Sequence, residues 1–130
     1  MDKSNAHTPI PAVNFAELLA RVEDDRELLR DLLLIFKQEF PRHLQALQEA
    51  VSRGESAQVA SVSHTLKGML ANLGATPAAV CAAELEQIAR AKDTASLAKA
   101  LVPLEHETKR LLPEMEAYLL EAQHEDSHRR

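Results

Sequence analysis

His64, Lys67 and Gly68 are the residues of this 130-residue chain whose types and spacing could do chemistry. On a helix, residues three and four apart are neighbours, so Lys67 and Gly68 would stand one turn from the imidazole. An imidazole nitrogen is a nucleophile that can take up and release a transferable group. A lysine beside it supplies a point cation. That pair suits a phosphoryl group, which carries about two negative charges and three acceptor oxygens near neutral pH. Gly68 in a helix interior costs about 1 kcal/mol relative to Ala, and nothing local requires it.

The stretch around these residues reads as one amphipathic helix over residues 55–73. Val59, Val62, Leu66, Met69, Leu70 and Leu73 recur at spacings of three and four and share a face. At about 100° per residue, His64 falls about 170° from the centre of that face and points into solvent. An exposed helical histidine ordinarily does nothing but meet water. Here its neighbours at three, four and seven residues are Ala60, Ser61, Lys67, Gly68 and Ala71 rather than the usual Glu, Lys and Gln. The face is cleared for the close approach of another body. Ala60, Ser61 and Ala71 are then candidate partner-contact residues, and Gly68 is the access point.

His64-Thr65-Leu66-Lys67-Gly68, followed by Leu73-Gly74-Ala75, resembles the signature of histidine phosphotransfer (HPt) domains of two-component phosphorelays. The resemblance extends in helix length and order from about Asn14 to Ala122. It implies that His64 accepts a phosphoryl group from a receiver-domain aspartate and passes it to another. It further implies that Lys67 offsets phosphoryl charge, and that Mg²⁺ is carried by the partner receiver, with no cofactor on this chain. Response-regulator receivers or a hybrid sensor kinase are the implied partners. In such domains the next helix flanks the histidine, which makes Gln87 and above all Arg90 candidates to assist it. Met69 and Leu70 depart from the pattern, because the two positions after the glycine are often small. Both are expected in the core.

Composition narrows the field. Leu and Ala dominate, with three glycines and no tryptophan, which favours helix. No alternation of period two persists. The expected fold is all-α, an antiparallel four-helix bundle with an additional short N-terminal helix. The net charge of −5 argues against nucleic acid as a partner. The lone Cys81 lies among alanines, reads as a small buried hydrophobe and suits a reducing compartment. No apolar run approaches the roughly 18 residues of a membrane span. A cytoplasmic monomer is expected.

In chain order, residues 1–13 read as a flexible leader, 14–122 as the bundle and 123–130 as a fraying tail. Asn14 caps a short helix over 15–22. Asp24 or Asp25 opens a helix running to about Ser52, with Leu28, Leu32, Ile35, Phe36, Phe40, Leu44, Leu47 and Val51 as its buried stripe. Pro41 should bend that helix without ending it, and His43 beside it is assigned to packing. Gly54 and Gly74 close helices in the left-handed conformation. Thr76 caps the next helix with Pro77 at its first position, and the outer face of that helix carries Glu86, Gln87 and Arg90 as a solvated surface. Asp93 caps the last helix, with a bend or break expected at Pro103 or Pro113.

No G-x-x-x-x-G-K phosphate loop is present, so an ATP-using kinase is not expected. His124 and His128 are four apart, but two ligands make a weak metal site. Two alternatives to the phosphorelay carrier stay open at this point. One is a helical interaction module without covalent chemistry. The other is the phosphoacceptor domain of a chemotaxis-type kinase.

Overall fold

The computed structural model describes residues 10–128, with side chains described through residue 122. Five α-helices and one 3₁₀ turn make up the described chain: α1 (Phe15–Arg21), α2 (Arg26–Ser52), α3 (Ser56–Leu73), α4 (Thr76–Arg90), the turn Thr94–Ser96 and α5 (Leu97–His128). No strand occurs among the described residues. α2 packs on α3, α3 on α4, α4 on α5, and α5 back on α2. The result is the four-helix ring expected from the sequence, with α1 set against α2.

Local chemistry explains the boundaries. Asn14 Oδ1 accepts from Glu17 N–H at 3.0 Å and opens α1. Asp25 Oδ1 accepts from Leu28 N–H at 3.0 Å and opens α2. These carboxamide and carboxylate oxygens satisfy amides that have no intrahelical partner. Gly54 and Gly74 take φ of 66° and 79°, and so turn the chain into α3 and α4. α4 begins at Thr76 itself, with Ala75 as its uncapped N-cap and Pro77 in the first turn. Asp93 caps the 3₁₀ turn rather than α5 directly, and its carboxylate accepts from Ser96 Oγ at 2.8 Å.

The core consists of Leu29, Leu33, Phe36, Phe40 and Leu47 from α2, Val59, Leu66 and Leu70 from α3, Leu85 from α4, and Leu104, Leu111 and Met115 from α5. Two sequence expectations fail here. Leu28, Leu32 and Ile35 are exposed, because α2 turns Leu29, Leu33 and Phe36 inward instead. The start of α2 is apolar all round, so periodicity alone could not choose between the two stripes. Secondly, α5 does not break at Pro103 or Pro113. Both prolines, like Pro41, are exposed. Water can therefore take the carbonyl that each leaves unbonded, and the buried side of the helix is undisturbed. Leu70 is in the core as expected, whereas Met69 is half-buried.

The chain just before α1 belongs to the fold. Ala12 and Val13 are buried. Their amides each donate at 3.0 Å to one oxygen of the Glu114 carboxylate on α5. Asn14 N–H donates to Gly74 O at 3.2 Å. Phe15 stacks on Tyr118 with ring centroids 4.6 Å apart. The expected leader thus loses its last residues to the bundle; its first nine lie outside the described residues. α5 itself runs on to His128, past the expected limit at Ala122. The side chains of His124 and His128 lie outside those described.

Candidate functional site

Small residues let α3 and α4 meet closely. Ala60 and Ser63 of α3 and Ala79, Ala82 and Ala89 of α4 are all buried, and this helix pair makes the most extensive contact in the bundle. His64 stands at its edge with 62% of its side chain exposed. Lys67, one turn on, is about one-third exposed.

The residue that joins them is Glu86, which the sequence reading assigned to a solvated face. Its side chain is 3% exposed. One oxygen, Oε2, lies 3.1 Å from His64 Nδ1. The same oxygen accepts from Arg90 Nε at 2.9 Å and from the Arg90 guanidinium at 2.6 Å. Oε1 lies 2.9 Å from Lys67 Nζ. That approach is off the hydrogen-bond angle, but at this distance the ammonium is an ion-pair partner all the same. Lys67 and Arg90 outweigh the cost of burial and hold the Glu86 carboxyl down to about 2. Glu86 is therefore an acceptor only. The proton in the Nδ1–Glu86 contact must sit on the ring, which makes Nε2 the ring nitrogen that carries the lone pair in the neutral imidazole.

The depressed Glu86 value ties stability to pH in a defined direction. A carboxylate held below its ordinary value of 4.5 stabilises the fold fully above that value. It loses the contribution as pH falls through about 2. The stability gap between wild type and Glu86→Gln, measured by urea unfolding, should close as pH falls from about 4.5 toward 2. A gap that stays constant down to pH 2 would show that the charge of Glu86 does not stabilise the fold.

The other predicted positions divide. A Cβ built on Gly68 meets nothing within 4 Å, so no packing notch holds this glycine. Ser61, Ala71 and Gln87 are exposed. Ala60 is only 8% exposed, yet it lines the groove that runs beside the imidazole. Arg90 is exposed at its head but reaches back to Glu86 instead of standing free. A groove of about 560 Å³ runs beside the imidazole, lined by Ser61, Ala89, Arg90 and Lys92 among others. Cys81 is half-buried, and burial pushes its thiol up, as befits a packing residue. No cluster of three metal-ligating side chains occurs among the described residues.

On the other side of Thr65, which also borders the cationic groove, lies an apolar hollow formed by Leu32, Ile35, Phe36 and Met69. No described helix is long and apolar enough to cross a membrane. Comparisons with curated proteins and with solved structures gave no match. The family model described as Hpt domain matches residues 31–125, which take in α2 from its second turn, all of α3 and α4, and most of α5. With the histidine, its lysine and the helical ring all inside that span, the chain belongs to the Hpt domain family of two-component phosphotransfer modules.

Proposed function

We propose that this protein is a phosphorelay intermediate in which His64 Nε2 takes a phosphoryl group from a receiver aspartate and gives it to a second receiver. One observation carries the reading. Glu86 occupies Nδ1 of an imidazole that lines the open groove, which leaves Nε2 as the ring nitrogen with no partner among the described residues. In the forward step the Nε2 lone pair attacks phosphorus. The N–P bond forms, the P–O bond to aspartate breaks, and its electrons return to the carboxylate. Mg²⁺ belongs to the receiver in this reading, and the protein works as a monomer. The chain contributes the nucleophile, the cations and the position.

The surroundings fit such a partner. Lys67, Arg90 and Lys92 give this face a positive character on a chain whose net charge is −5. An acidic receiver site would be drawn to it. Leu32 and Ile35 add an exposed apolar surface beyond Thr65 that a partner could cover.

The test is incubation with a receiver domain phosphorylated on its aspartate. Label should move to this protein and be released by acid. Stable binding without label would leave a non-covalent interaction module and end the relay reading.

A further inference from the structure

The geometry points to Glu86 as a positioning residue that keeps the Nδ1 proton on the His64 ring after phosphorylation, so that the relay moves phosphoryl groups without moving protons. This rests on the phosphorelay reading above. A neutral imidazole whose Nε2 attacks phosphorus becomes a phosphoimidazolium that still carries Nδ1–H. If that proton left, the onward step would have to expel an imidazolate anion, a far poorer leaving group. If it stays, the N–P electron pair returns to Nε2 and the ring departs as neutral imidazole. The acceptor aspartate gains the phosphoryl group, and every bond and charge balances with no proton released or taken up.

What holds the proton is the shape of the Glu86 site. Loss of Nδ1–H would set a nitrogen lone pair 3.1 Å from a carboxylate oxygen. Glu86 cannot relieve that contact by donating, because an ionised carboxylate has no proton to give. It cannot turn away either, since Arg90 grips Oε2 through two nitrogens and Lys67 meets Oε1. Burial of the carboxylate keeps water from mediating. A glutamine in the same place behaves differently. Its amide can rotate to offer an N–H to the bare nitrogen, so the deprotonated ring is as well served as the protonated one. The charged groups around the ring are Glu86 and Arg90 from α4, Lys67 from its own helix, and Lys92 from the turn after α4.

The experiment compares wild type, Glu86→Gln and Glu86→Ala, each loaded chemically with potassium phosphoramidate, so that no receiver is needed. Nitrogen-15 NMR of the phosphorylated His64 ring reports whether Nδ1 carries hydrogen. Wild type should keep it at about pH 8, well above the range where a free imidazole titrates, and both variants should have lost it. Dephosphorylation should be flat across that range in wild type. In the variants it should fall about tenfold per pH unit once the ring proton is gone. Identical ring signals and identical pH profiles in all three proteins would overturn the assignment. Retention of the proton in wild type alone would uphold it even if no receiver transferred phosphate, in which case the relay reading would fail separately.

Discussion

A His64→Gln protein mixed with a phosphorylated receiver takes up no acid-labile phosphate, while wild type is labelled under the same conditions. The effect is total because no other described group combines a free imidazole nitrogen with this cationic groove. His106 is exposed on α5, and His43 borders the apolar hollow, away from Lys67 and Glu86. Glutamine keeps the length and polarity of the side chain and can still reach Glu86 with its amide. Because His64 is 62% exposed, the fold should lose no more than about 1 kcal/mol. Unfolding and labelling measured on one preparation separate lost chemistry from lost structure. Label retained by a well-folded His64→Gln protein would place the phosphoacceptor elsewhere.

The second large effect belongs to Gly68. Gly68→Gln should melt at or above the wild-type temperature and transfer phosphate about a hundredfold more slowly. The gain in stability follows from helix propensity, up to about 1 kcal/mol in favour of glutamine. No clash offsets it, since a Cβ at this position meets nothing within 4 Å. The loss in rate follows from place. Gly68 is one turn beyond His64, and a long side chain there would stand between the imidazole and the approaching receiver. Displacing reacting atoms by about 1 Å can cost 10²-fold in rate. An unchanged transfer rate would mean that the partner arrives from the other side, over Arg90 and Lys92.

The histidine, the lysine and the glycine were legible because they share one helix, and a helix fixes the relation of neighbours three and four apart. Glu86 was not legible. A wheel of α4 alone puts it beside Gln87 and Arg90 on the polar face, and only the docking of α3 decides that it is covered. The clue in the sequence was the run of small residues on both helices: Ala60 and Ser63 on one, Ala79, Ala82 and Ala89 on the other. Small side chains bring helix axes close and bury whatever lies between them. The cost of burying a charge then demands partners, which Lys67 and Arg90 supply. The α2 stripe was misread for a different reason. Seven of the nine residues from Leu28 to Phe36 are apolar, so two overlapping periodic patterns fit equally well.

The attachment of residues 10–13 to α5 has a consequence for the order in which the molecule comes apart. The Ala12 and Val13 bonds to Glu114 join positions 102 and 101 apart in the chain, whereas consecutive helices of the ring dock across short turns. Closing so long a loop before the helices have met carries the greater entropic cost. The clasp therefore forms last, on a bundle already built, and opens first. A protease acting on the native protein should find the backbone near Pro11 long before any helix. The nicked product should keep its helical circular dichroism; a cut that unfolds the bundle instead would show that the clasp and the helices come apart together.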